Sequence, residues 1–149
     1  MTVQGVRLCR AYGWAVWRTA ARGSGGASYA LGMTDSTALD PEDRKIVTLA
    51  RSARARNGVP EGAAVRDETG RTYVAGTVAL PSLRLSALQT AVAMAVASGA
   101  KSLEAAVVVS DAESLAEGDL AAVRDLGGAS TPVLLAGVDG VVRMTVTAG

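Results

Sequence analysis

Along the chain the apolar positions change their period several times, and each change marks an element. In "STALDPEDRKIVTLARSARARNG", Ile46, Leu49, Ala50 and Ala53 recur at the spacing of one helix face. Both ends of that helix are marked. Asp40 can cap it, Pro41 suits the first helical position, and Glu42 and Asp43 place negative charge at the positive end of the dipole. Arg51, Arg54 and Arg56 crowd the other end before an Asn57-Gly58 exit. Two β-prone runs follow, 61–67 and 71–79, joined by a turn ending in Gly70, where glycine suits a positive φ. "LRLSALQTAVAMAVASG" predicts a helix over 83–98 that Gly99 ends, apolar nearly all round and therefore buried on more than one side, by a sheet or by another subunit. "LEAAVVVSD" predicts a buried strand ending near Ser110, too apolar for a solvated edge. "EGDLAAVRDLGG" predicts a shorter helix with Leu120, Val123 and Leu126 on one face. "TPVLLAGVDGVVRMTV" predicts two strands around a turn at Asp139-Gly140.

This order, helix, two strands, helix, strand, helix, two strands, implies a mixed sheet with helices packed on its faces. Length and composition agree, since 149 residues of which 49% are hydrophobic and 19% charged fit one domain with a real core. A net charge of +1 gives no global reason to expect nucleic acid or an anionic membrane as partner. The charge is nevertheless unevenly placed. Residues 1–32 carry Arg7, Arg10, Arg18 and Arg22 and no acid, together with Trp14, Trp17 and the single cysteine, Cys9. The arginines interrupt every apolar run that a secretory signal would need, while a transit peptide or a basic membrane-surface helix would fit the composition better. The simpler expectation is a poorly structured or spurious basic extension over 1–32, with "GSGG" at 23–26 as a joint and the domain spanning 33–149 from Met33. A lone cysteine forms no internal disulfide, and no window reaches the length of a membrane span, so the expected location is cytoplasmic.

"GAAVRDETGRTYVAG" followed by "SALQTAVAMAVASG" resembles the small cytidine deaminase family, over roughly residues 41–146. The resemblance implies a three-layer α/β/α sandwich with a mixed five-stranded sheet, and a homodimer or homotetramer. It also implies a zinc ion held by one His or Cys from the central helix and by two cysteines of a Pro-Cys-x-x-Cys motif on the next. A glutamate beside the first ligand moves protons between the metal-bound water and the base. Aligned on the Ala-Val-x-x-Gly end of the helix, the Cys/His-Ala-Glu motif falls on Ser86, Ala87 and Leu88. The chain has no histidine, Cys9 lies outside the matching region, "SDAESLAEGDLA" has no cysteine, and "GTVALPS" lacks the Asn and Glu that grip the nucleoside in the family. Val59-Pro60-Glu61 stands where the family has an aromatic.

The expectation is therefore a degenerate cytidine deaminase-like protein with no cofactor, no zinc ligands and no catalytic residue at the degenerate positions Ser86 and Leu88. It would serve as a self-associating scaffold or would bind an unidentified protein partner, with neither nucleic acid nor membrane involved. Two alternatives stand beside this: a nucleoside deaminase, a hydrolase using an unrecognised metal site, and a module that binds a nucleoside without converting it. A remnant pocket would draw on Val59, Arg84, Ser86 and Gln89, although the polar members could equally cap the helix and meet water. The carboxylates Asp111, Glu113, Glu117 and Asp119 cluster where the cysteines should be. Oxygen ligands of that kind suit Mg²⁺, Mn²⁺ or Ca²⁺, but acids before a helix are ordinarily solvated and matched to its dipole, which is the expectation here. Ser86 with Thr90 has no histidine to activate it, and neither Lys45 nor Lys101 has an evident serine partner.

Overall fold

A computed structural model describes residues 39–149, so the basic segment 1–32 and the boundary at Met33 lie outside the described residues. The chain runs α1 (Pro41–Asn57), β1 (Gly62–Asp67), β2 (Thr72–Gly76), β3 (Val78–Ala79), β4 (Arg84–Leu85), α2 (Ala87–Ala97), β5 (Leu103–Val109), α3 (Glu117–Gly127), β6 (Pro132–Ala136) and β7 (Val142–Thr147). Five strands form one sheet in the order β2-β1-β5-β6-β7. Only β5 and β6 are parallel, joined across α3, and every other neighbouring pair is antiparallel. The mixed sheet and the α/β/α sandwich expected from the sequence are both present.

The layers follow from side-chain alternation on strands buried on both faces. Ala64, Ala105, Val107, Val109, Leu134 and Ala136 turn to one side and pack with Ile46, Val47 and Ala50 of α1. Ala63, Val65, Ala106, Val108, Val133 and Leu135 turn to the other and meet α2 and α3. Small residues bring α1 close to the sheet: a Cβ on Gly62 would collide with the Ala50 carbonyl oxygen and stand 2.9 Å from Arg54 Cβ. Arg66 then ties the layers from the rim, donating to Asp43 of α1 at 3.1 Å and to Glu104 of β5 at 3.0 Å.

The helix-end signals are realised. Asp40 accepts a hydrogen bond from the Glu42 backbone N–H, and Gly58 ends α1 in the left-handed conformation at φ 62°. The turn after β1 is built on Asp67, nearly fully buried. Its carboxylate accepts from the backbone N–H groups of Thr69 and Arg71 and from the hydroxyls of Thr69 and Tyr73, at 2.7–3.0 Å. Glu68 accepts from the backbone N–H groups of Lys101 and Ser102, pinning this turn to the loop between α2 and β5.

Two boundaries differ from the sequence reading. The run 71–79 breaks after Gly76, and β3 leaves the main sheet to pair with β4. The central helix consequently starts at Ala87 instead of 83, because Leu83 closes a turn with Leu80 and Arg84-Leu85 are extended against Val78-Ala79. The ladder outcompetes the helical period of those few residues, and Ser86 becomes the cap.

Candidate functional site

The site begins with that cap. Ser86 Oγ accepts from the Gln89 backbone N–H at 3.1 Å, and the Gln89 Oε1 accepts from the Ser86 N–H at 3.1 Å, a reciprocal arrangement that satisfies two otherwise orphaned donors. The hydroxyl proton is left for another acceptor. It goes to Asp119 Oδ1, 2.5 Å away on α3. Asp119 is the third residue of α3, whose N-cap, Ala116, offers no side-chain hydrogen bond. The openings of two helices, 33 positions apart in sequence, are thereby joined by one short charge-assisted hydrogen bond.

Around this bond lies a cavity of about 140 Å³. Its polar lining consists of Glu61, Ser86, Ser110, Ser114 and Asp119, and its apolar lining of Val108, Ala112, Leu115, Ala116 and Leu135. The cavity sits at the carboxyl ends of the parallel pair β5 and β6, the place where open α/β sheets bind ligands. Ser110, which follows β5, is 5% exposed, and its Oγ accepts from the Ala112 N–H. Asp119 is likewise 5% exposed. Glu61 enters from the start of β1, held by backbone and hydroxyl hydrogen bonds to Thr77. Burial raises the Glu61 carboxyl above its ordinary value, and the negative charge of Asp119 raises it further.

Of the degenerate positions and the remnant-pocket residues named from sequence, only Ser86 lines this cavity, and of the four clustered carboxylates only Asp119 does. Leu88 is fully buried among the apolar side chains between α2 and the sheet. Val59 packs near Gly76, Arg84 is exposed on β4, and Gln89 is engaged in the cap. The four acids of the α3 approach do not converge. Asp111 pairs with Arg54 at 3.5 Å, Glu117 with Arg124 at 3.4 Å, and Glu113 is exposed. Asp119 departs from the expectation of a solvated helix-start acid, because the Ser86 hydroxyl holds it inside. Among the described residues no three His, Cys, Asp or Glu side chains gather as a metal site would require. Sequence reasoning missed Glu61 and Ser110. The available signal was their position at the mouth of two adjacent strands, which only the β1–β5 pairing reveals.

The donor set does not fit zinc. The family resemblance implies two ligands three apart at the opening of the helix after β5; Ala116 and Asp119 have that separation and both line the cavity. A methyl group, a carboxylate and the Ser86 hydroxyl then stand where three soft donors are needed. Two oxygens on a tetrahedral zinc would be roughly 3.3–3.6 Å apart. Ser86 Oγ and Asp119 Oδ1, at 2.5 Å, are instead a hydrogen-bonded pair.

The sequence matches the cytidine deaminase-like family over residues 39–140. Among solved structures, the cytidine deaminase from Burkholderia pseudomallei is similar with a TM-score of 0.63 and 24% identity, over 70% of this chain and 91% of that one. The cytidine deaminase from Mycobacterium leprae is similar with a TM-score of 0.59 and 21% identity, over 73% of this chain and 95% of that one. At these identities the likeness is one of fold. No curated protein matches the chain.

Proposed function

Because the chain belongs to the cytidine deaminase-like family and yet closes the expected metal position with a hydrogen bond, we propose that it is a non-deaminating member, retained for association with copies of itself or with another protein. The observation that carries this reading is the contact of Ser86 with Asp119. It uses the hydroxyl and one carboxylate oxygen on each other, while Leu88, at the proton-shuttle position, is committed to the core. In the family's chemistry a metal lowers the pKa of the bound water and a neighbouring glutamate takes its proton, and Ser86 and Leu88 at those positions supply neither group.

The association part of the proposal rests on α2. This helix contains no charged residue, and its outward side leaves Met94 and Val96 exposed beside Ala93 and Ala97. Leu80 and Leu83 of the small hairpin are exposed as well. Uncharged apolar surface of this kind is stabilised by a partner.

Elemental analysis of the purified full chain, combined with loss of cytidine absorbance on conversion to uridine, tests the proposal. The expected result is zinc far below one per chain and no turnover with or without added zinc. One zinc per chain, or uridine formation above the uncatalysed rate, would overturn it. Sedimentation tests association: a concentration-dependent shift to dimer or tetramer that Met94→Glu abolishes is expected.

A further inference from the structure

Apart from Glu61 and Asp119, the carboxylates among the described residues are either compensated or exposed. Asp43 and Glu104 share Arg66, Asp111 meets Arg54, Glu117 meets Arg124, and Asp67 and Glu68 accept several N–H or O–H donors. Glu61 and Asp119 face one cavity with like charge, and no lysine or arginine lines it. Asp119 is 5% exposed and has a donor only for Oδ1. No buried side-chain oxygen among the described residues is both sealed from solvent and unpartnered, so Oδ2 keeps access to solvent in a residue that lines the cavity. The Glu61 carboxylate has no hydrogen-bond partner among the described residues either. A half-enclosed cavity with two acceptor groups and no cation destabilises the protein alone, and a positive ligand between them removes that penalty.

We propose that this cavity binds a compact, planar organic cation of the amidinium or guanidinium class, with its N–H groups donated to Glu61 and Asp119 and its flat face against the accessible apolar lining of Ala112, Leu115 and Ala116. The proposal rests on the reading above that the position is not a metal centre. Three features select the class. Two carboxylates and a few hydroxyls fall short of the six or more oxygens that Mg²⁺ or Ca²⁺ gathers. Half of the lining is hydrocarbon, which suits the weakly hydrated faces of a delocalised cation and offers nothing to a hydrated metal ion. The volume of about 140 Å³ is close to that of the ~150 Å³ protein cavity that holds benzene, so the ligand is at most about that size. Parallel N–H donors matched to carboxylate oxygens supply orientation as well as attraction.

Acetamidinium chloride is the probe, with acetamide as its neutral isostere and sodium chloride matching ionic strength, read by thermal unfolding and by calorimetric titration of the full chain. The expected result is a saturable rise in Tm with acetamidinium and none with acetamide or salt. Glu61→Gln and Asp119→Asn should each weaken binding at least tenfold. Glu61 is only half-buried at a strand entry, so its variant folds and keeps the test valid if the Asp119 variant does not. Equal shifts with acetamide and acetamidinium, unchanged affinity in Glu61→Gln, or tighter binding of Mg²⁺ would overturn the proposal. Zinc analysis of the same preparation separates the two readings, since zinc at one per chain defeats the non-deaminating reading whatever acetamidinium does.

Discussion

Replacing Leu88 with glutamate restores the residue that the family resemblance implies, and the fold should resist it. Leu88 is fully buried in the α2 side of the core and does not line the cavity. Removing a buried leucine side chain costs about 2–5 kcal/mol where the site cannot collapse. The new side chain recovers some of the volume but brings a carboxyl group without a partner, a further ~1–3 kcal/mol even when protonated. A net loss of about 4 kcal/mol is therefore expected, a large share of the ~5–15 kcal/mol that holds an ordinary domain together. With a urea m-value of about 2 kcal/mol/M, the unfolding midpoint should fall by about 2 M, followed by far-UV circular dichroism. Cytidine turnover should remain absent. A midpoint within about 0.5 M of the parent protein would refute the reasoning. It would mean that residue 88 reaches water through the cavity and is not walled into the core.

Other expectations follow from the same contacts. Ser86→Ala removes a helix cap and the only side-chain donor to Asp119 among the described residues, and should destabilise by about 1–3 kcal/mol in urea unfolding. Burial pushes the Asp67 carboxyl up, but the Thr69, Arg71 and Tyr73 donors outweigh it and hold the group below its ordinary value. Glu68 is lowered too, by its own backbone N–H and those of Lys101 and Ser102. For a depressed folded-state pKa, the stabilisation is complete above the unfolded value near 4 and disappears as pH falls through the folded one. Tm should accordingly drop on acidification below about pH 4, and less so in Asp67→Asn. Glu61, whose carboxyl is raised, has the opposite sign: its contribution to stability declines as pH rises from the unfolded pKa through the folded one. Gly62→Ala should cost about 1–3 kcal/mol in thermal unfolding, because the methyl group meets the Ala50 carbonyl oxygen and α1 must retreat.

The parts of the fold legible in the sequence are those that local chemistry decides. Asp40-Pro41 and Gly58 bound α1 because cap geometry and positive φ are properties of single residues. The apolar run Ala105–Val109 of β5 announced burial on both faces, which the side-chain alternation confirms. The start of α2 was hidden because Leu83 and Leu85 suit a helix face as well as a strand, and only the ladder with Val78-Ala79 decides between them. At the site the sequence pointed to positions 86 and 88, of which Ser86 lines the cavity. The acid that meets Ser86 was not legible, since Asp119 reads like any acid in a first helical turn. Its partner lies 33 residues earlier, and Glu61 comes from the residue before β1, the strand beside β5.

The bond between Ser86 and Asp119 also bears on how readily the site could be rebuilt. On the non-deaminating reading proposed above, giving this position metal chemistry would require new residues at 86, 88, 116 and 119 together. The first change at either end of the bond sacrifices a cap or strands a charge, while a metal centre would be complete only with the last. Each intermediate would be weaker without gaining a metal site, so stepwise selection toward one would meet a valley with no foothold. A small hydrogen bond would thus act as a ratchet, holding the two helix openings to their present arrangement.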